Sequence, residues 1–148
     1  MPGSNLVKRR CTDSIDLIES VQRRFIKLLP GMYNKSYKDR LETLKLPSLE
    51  LRRLHIDLIL TYSFLHNVYD VDSTRFFSIR GCERTRGHPW KLRVNIAKTD
   101  CRKFFFCNRV VRVWNRLPPN VVAATSVFTF KKLLHTVDLT SFLSRNFY

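Results

Sequence analysis

Few residues in this chain have the types and spacing that chemistry needs. Asp70 and Asp72 are carboxylates one residue apart, the kind of pair that holds a magnesium ion. They fall where a helical pattern gives out, so a pair of aspartates in the loop that ends a helix is the better account. Cys82, His88, Cys101 and Cys107 have the ligand types of a zinc site. Their gaps are five, twelve and five residues. Structural zinc sites favour gaps of about two to four between paired cysteines, so buried free thiols are the better reading. His55, His66 and His135 have no evident acidic or cysteine partner. Four scattered glycines make no phosphate-cradling loop, and no Gly-x-Ser-x-Gly elbow is present. The expectation is no catalytic residue, no metal and no cofactor.

What the chain offers instead is cations set among aromatics. It has 27 Lys and Arg against 12 Asp and Glu, a formal net charge of +15 over 148 residues. Such a chain repels itself unless a polyanion neutralises it, and nucleic acid is the first candidate. Between residues 75 and 116, twelve basic residues meet only Glu83 and Asp100, a net of +10. On a helix over 101–116, Arg102, Arg109, Arg112 and Arg116 share one narrow arc. Phe106, Val110, Val113, Trp114 and Leu117 fill another. One face then packs on the body while the other presents four guanidiniums, whose forks suit phosphate oxygens. Phe105 falls on the basic side, where its ring is able to stack on a base. Arg84, Arg86, Lys91 and Arg93 lie nearby in sequence. The expected nucleic-acid contacts are therefore Arg84, Arg86, Lys91, Arg93, Arg102, Phe105, Arg109, Arg112 and Arg116.

The elements that must position these residues read as mainly α: a small helical bundle, a short irregular or two-stranded segment, then two further helices. Residues 1–12 read as a flexible basic lead. A first helix starts near Asp13 or Ser14 and runs to Leu29, stopped by Pro30-Gly31. Ile18, Val21, Phe25, Leu28 and Leu29 form its apolar face, and Glu19 sits four before Arg23 as a supporting pair. Ser36 caps a second helix that ends before Pro47. Ser48 caps a third, running through Leu54, Leu58 and Leu65 to Val68, with a deeply buried second half. Phe77 and Ile79, then Trp90, Leu92, Val94 and Ile96, alternate as strands do. Asp100 caps the helix over 101–116, residues 120–125 are a linker, and Ser126 caps a last helix with Phe130, Leu133, Leu134 and Val137. Residues 13–70 and 71–148 are the two segments of this organisation, expected to form one compact unit.

Residues 1–10 lack the apolar core of a signal peptide, and no run of about 18 apolar residues exists. With four cysteines read as reduced thiols, the expected compartment is nucleus or cytoplasm, not a secreted or membrane setting.

Several phrases carry a resemblance. Leu17-Ile-Glu-Ser-Val-Gln-Arg-Arg-Phe-Ile-Lys27 precedes Pro30-Gly31. Next come Tyr37-Lys-Asp-Arg-Leu41, then Leu44-x-Leu46-Pro47-Ser48-Leu49-Glu50-x-Arg52-Arg53 with Asp57-Leu58. Thr85-Arg86-Gly87-His88, Lys91-Leu92, Phe105-Phe106 and Arg109-Val110-Val111 follow. Trp114-Asn115-x-Leu117-Pro118 leads to Val121-Val122-x-Ala124 and Phe130-Lys131. In this order, from about residue 13 to 135, they resemble the region after the polymerase core of non-LTR retrotransposon reverse transcriptases, the jockey-like and related clades. Tyr69-Asp70-Val71-Asp72 only superficially resembles the Tyr-x-Asp-Asp signature of such enzymes, because its aspartates are not adjacent.

The resemblance implies the C-terminal thumb and post-thumb part of an RNA-directed DNA polymerase from a transposable element. The first three helices look like the thumb, which grips the template–primer duplex. The endonuclease, fingers and palm, with their magnesium carboxylates, would lie upstream, and Met1 then marks a truncated gene model, a decayed copy or a separated exon. The implied function is non-catalytic nucleic-acid binding to RNA, DNA or an RNA–DNA hybrid. The alternative is a scaffold that docks on the missing palm, so the remainder of the polymerase is also an expected partner.

Overall fold

A computed structural model of the chain describes residues 3–80, 88–95 and 105–143, with side chains described from Ile15 onward. The fold is mainly helical, as expected. The helices are α1 (Gly3–Lys27), α2 (Tyr37–Leu44), α3 (Leu49–Leu65), α4 (Phe106–Arg109), α5 (Val111–Trp114), α6 (Pro119–Val122) and α7 (Val127–Leu134). Short 3-10 turns cover Ser73–Arg75 and Thr140–Phe142. Contacts divide the chain into two compact units, one containing the residues up to Arg53 and those from Leu139, the other Leu54–Asp138. The divide falls inside α3, where one compact unit was expected.

In the first unit, the backbone is already helical from Gly3, where a flexible lead was expected. α1 ends at Lys27, before the expected Leu29. The chain then turns through Leu29, Pro30, Gly31 and Met32. The Met32 amide donates to the Leu29 carbonyl at 3.1 Å, and Gly31 sits at φ +75°. Proline followed by a positive-φ glycine is the composition of a type II turn. Ser36 caps α2 as expected, accepting from the Asp39 amide. Lys45 closes the helix in the left-handed region at φ 51°, while the Leu46 amide reaches back to the Leu41 carbonyl at 3.0 Å. That is a Schellman closure with lysine where glycine is usual. Pro47 then prevents any continuation.

α1 faces the opposite way from its periodicity. Ile18, Val21, Phe25 and Leu28 are exposed, whereas Glu19 and Ile26 are fully buried. The buried carboxylate has partners that only the fold supplies. Glu19 accepts from the Leu49 amide at 3.0 and 3.3 Å and from the Tyr37 hydroxyl. It thereby caps the first turn of α3, where a negative charge meets the positive end of the helix dipole. Ser48 caps the same turn through the Leu51 amide at 3.2 Å. Gln22 binds the Pro47 carbonyl at 3.1 Å, and buried Arg40 donates to the Arg23 carbonyl at 3.1 Å. Burial, then the Glu19 carboxylate, pushes the Tyr37 phenol far above its usual range. The expected Glu19–Arg23 pairing therefore gives way to a capping role for Glu19.

In the second unit, Leu58, Tyr62 and Leu65 line one face of α3 and are buried. Tyr62 stacks on Phe130 of α7 with centroids 4.4 Å apart, and Trp114 lies 6.0 Å from the same ring. α3 stops at Leu65, short of the expected Val68. Asn67 takes the left-handed conformation at φ 50°, and the Val68 amide folds back to the Ser63 carbonyl at 2.9 Å. Asparagine tolerates that conformation and closes the helix as glycine would. The expected linker over 120–125 is instead core. Val121, Val122 and Ala124 are buried around α6, and the Tyr62 hydroxyl donates to the Ala124 carbonyl at 2.6 Å. Ser126 caps α7 through the Thr129 amide, as expected, and Val137 falls beyond the helix end.

Candidate nucleic-acid interface

The basic segment is held by two adjacent residues at the end of α5. Trp114 is fully buried; its indole N–H donates to the Trp90 carbonyl at 2.8 Å. Its own carbonyl lies 3.1 Å from the His88 Nε2. Asn115 uses both ends of its side-chain amide on one residue. Its Oδ1 accepts from the Leu92 amide and its Nδ2 donates to the Leu92 carbonyl, each at 2.8 Å. His88, Trp90 and Leu92 are thus tied to the end of α5, with Pro89 and Trp90 in a turn and Leu92 in a bridge.

On the other side, residues 91–93 pair with residues 78–80. Ile79 and Leu92 form an antiparallel bridge, and the flanking bonds are both 2.7 Å: Arg80 amide to Lys91 carbonyl, Arg93 amide to Ser78 carbonyl. Among the described residues this is the whole of the expected two-stranded segment. Leu92 points into the core and is buried. Successive side chains of an extended stretch point to opposite faces, so Lys91 and Arg93 project away from the core. Arg93 and Arg80 are exposed, and Lys91 is half-buried. Arg116 follows Asn115 directly, and Arg112 stands one turn before it. Both are exposed.

The helix expected over 101–116 is shorter and interrupted. α4 begins at Phe106, with Phe105 as its N-cap. Val110 joins α4 to α5 in right-handed helical geometry, so the rise stays close to one helix. Phe105 is 55% exposed. Phe106 turns inward, 5.7 Å from Phe77 and 6.3 Å from Phe64. The two neighbouring rings therefore take the opposite roles that the helical arc assigned to them.

Arg109 leaves the expected set of phosphate contacts. Its Nε and Nη2 each lie 2.7 Å from an Asp57 oxygen on α3, a bidentate pair. The Asp57 side chain is 8% exposed and the Arg109 side chain 30%. A guanidinium fork already filled by a buried carboxylate has little left for phosphate. Arg84, Arg86 and Arg102 lie outside the described residues. Lys91, Arg93, Phe105, Arg112 and Arg116 are therefore the expected contacts that the structure places, and Arg80 joins them through its backbone pairing with Lys91. No helical arc contains Arg80, which is why periodicity missed it.

The histidines have partners that no sequence spacing gave. His66 stacks on Tyr62 at 4.1 Å and faces Trp90 at 4.9 Å. His55 and His135 meet at 5.0 Å. Burial lowers the pKa of His55, His66 and His88, with His135 adding to the effect at His55 and Lys91 at His88. Asp72 caps the 3-10 turn through the Thr74 amide at 3.0 Å, and its bonds to Thr74 hold its carboxyl below the usual range. That is the loop role expected of it. Cys82 and Cys101 lie outside the described residues. Burial pushes the Cys107 thiol upward, away from the reactive thiolate. Among the described residues, no three of His, Cys, Asp and Glu gather as metal ligands, and no helix is long and apolar enough to cross a membrane.

The chain matches no known family model, no curated protein sequence and no solved structure.

Proposed function

We propose that this chain is a nucleic-acid-holding segment from the C-terminal, thumb and post-thumb region of a non-LTR retrotransposon reverse transcriptase. It grips the backbone of RNA, DNA or their hybrid and performs no chemistry itself. The observation that carries the reading is the cation group around the Trp114–Asn115 clamp. Arg80, Lys91 and Arg93 come from the pinned stretch and its neighbour, Arg112 and Arg116 from the helix beside it. Phe105 adds an exposed ring at the start of that helix, suited to stacking on a base. The ordered phrases from residue 13 to 135 support the retroelement origin, and the net charge of +15 supports a polyanion partner. Such an interface recognises phosphate far more than sequence.

The test is fluorescence anisotropy with an RNA–DNA hybrid over a salt series. Each phosphate contact releases counterions and adds roughly 0.7 to 0.9 to the slope of log affinity against log salt. The triple variant R93A/R112A/R116A should lower that slope by about 2 to 3. An unchanged slope would sink the proposed interface. Polymerase palm motifs encoded in the genomic DNA upstream of Met1 would support the origin, and an unrelated reading frame continuous with this one would overturn it.

A further inference from the structure

His55 and His135 are far apart in the sequence, yet their ring centroids lie 5.0 Å apart with 62° between the ring planes. Both belong to the second unit. The pairing of α3 with α7 brings them together. Tyr62 lies about two turns after His55 on the same face of α3, and it stacks on Phe130 of α7 at 4.4 Å. His135 follows Phe130 and is the C-cap of α7. The two helices thus run in opposite directions along this contact, and the histidines form its other end. His55 is half-buried and His135 exposed. Among the described residues, neither ring takes part in a hydrogen bond.

Two imidazoles on one metal ion must meet a narrow geometry. Each Zn–N bond is about 2.0–2.1 Å, and the ligands of a tetrahedral site subtend about 110°. Each ring nitrogen lies about 1.1 Å from its ring centre, so the two centroids stand about 5 Å apart. The separation of His55 and His135 meets that requirement with no helix moved. Pointing one nitrogen of each ring at a shared ion takes only rotation about χ2, which is a broad torsion in histidine. The exposed His135 ring has room to turn.

The surroundings select the kind of ion. A metal needs the neutral imidazole. Burial, and then the neighbouring His135 ring, lowers the pKa of His55, which favours that form. Exposed Arg52 stands one turn before His55, and exposed Lys131 and Lys132 one turn before His135. Asp138 follows three residues after His135 and is exposed as well. Exposed cations oppose any metal ion, but salt screens them beyond about 8–10 Å. Mg2+ and Ca2+ depend on oxygen ligands and charge and gain nothing here. An ion that favours imidazole gains two bonds to nitrogen. The carbonyl end of α7 beside His135 also favours a cation.

We infer that His55 and His135 form a two-histidine site for a divalent transition ion of the Ni2+, Cu2+ and Zn2+ class, joining α3 to α7. No third His, Cys, Asp or Glu joins them among the described residues, so water fills the remaining positions.

The test uses Ni2+ alone, added to the full chain at about pH 7.5, above the ordinary histidine pKa. The readout is the proton NMR spectrum of the imidazole C–H groups, in which the ion broadens the rings that bind it. H55Q and H135Q assign the signals. His55 and His135 should broaden first and together, with His66 and His88 unchanged at the same ratio. By calorimetry, H135Q and H55Q should each bind Zn2+ at least about tenfold more weakly than wild type, the low end of what losing even an outer-shell group costs. H135Q replaces an exposed side chain, so its circular dichroism should match wild type. Mg2+ at the same concentration should change nothing. Wild-type Zn2+ affinity in H135Q would overturn the inference, because the cysteines or other histidines would then hold the ion. Broadening of His135 that persists unchanged in H55Q would also overturn it, since one ring would then suffice. Hybrid binding by H135Q should stay at the wild-type level, which separates this site from the proposed nucleic-acid interface.

Discussion

Replacing Arg109 with alanine discriminates sharply between two roles for one guanidinium. In the structure it fills both oxygens of Asp57 at 2.7 Å, and the Asp57 side chain is 8% exposed. Removing the arginine leaves a buried carboxylate without its counter-charge. Breaking a fully buried pair costs about 3–5 kcal/mol, and an exposed pair contributes about 0–1 kcal/mol. Arg109 is itself 30% exposed, so water recovers part of the loss. The expected destabilisation of R109A is therefore about 2–3 kcal/mol. Both tryptophans of the chain, Trp90 and Trp114, lie in the second unit, so their fluorescence reports that unit's unfolding. With a urea dependence of roughly 1–2 kcal/mol per molar, the midpoint should fall by about 1–3 M. R109K keeps the charge and loses the fork, so it should fall in between. D57L/R109M removes both charges and should recover most of the loss. The salt slope of hybrid binding should be the same in R109A as in wild type. A midpoint within about 0.3 M of wild type, with the salt slope lowered by about 1, would refute the reasoning and return Arg109 to the phosphate contacts.

Two further outcomes follow from buried groups. E19A removes the acceptor of the Leu49 amide and the Tyr37 hydroxyl, so the first unit should lose about 1–3 kcal/mol while the Trp-reported transition holds; equal loss in both transitions would contradict that placement. His66 and His88 have folded pKa values lowered, chiefly by burial, from an ordinary 6.5, so the unfolded chain binds the extra protons. Their contribution to stability is complete above about pH 6.5 and is lost as pH falls through the folded values. The urea midpoint should drop between about pH 7.5 and 5.5, and H88Q should flatten the drop; a midpoint independent of pH in wild type would exclude it.

Local signals were legible in the sequence wherever their physics is local. Ser36, Ser48 and Ser126 cap the helices they were expected to cap, because a cap needs only its own next turn. Pro30-Gly31 and Pro47 end helices for reasons within the dipeptide. The alternation at Trp90 and Leu92 left only one bridge among the described residues, Ile79 with Leu92, and Trp90 stands in a turn. Failures came where a distant group decided the outcome. The apolar stripe of α1 assigned Ile18, Val21, Phe25 and Leu28 to the core. Glu19 won the buried face instead, since the Leu49 amide and the Tyr37 hydroxyl satisfy its charge, and neither is visible in the periodicity of α1. Arg109 sat correctly on its helical arc, yet Asp57, 52 residues earlier, drew it inward. The expected linker at 120–125 became core, with Val121, Val122 and Ala124 buried and the Tyr62 hydroxyl on the Ala124 carbonyl. For the proposed site, charge clustering pointed to Lys91, Arg93, Arg112 and Arg116, but not to the Trp114–Asn115 clamp on the neighbouring backbone. Nothing in the type or spacing of Asn115 announces that its amide will meet the Leu92 backbone.

That amide has a second consequence. A strand residue offers its N–H and C=O to one side, and its neighbours offer theirs to the other. Residues 91 and 93 spend theirs on 78–80, which leaves those of Leu92 facing outward. An open strand flank of this kind is a template on which another chain can add a strand. The Asn115 side chain carries the same donor and acceptor as a peptide group, and it occupies both positions. One residue therefore takes the place that a third segment would occupy beside the Ile79–Leu92 bridge, and the Leu92 backbone has no bond left to offer another chain.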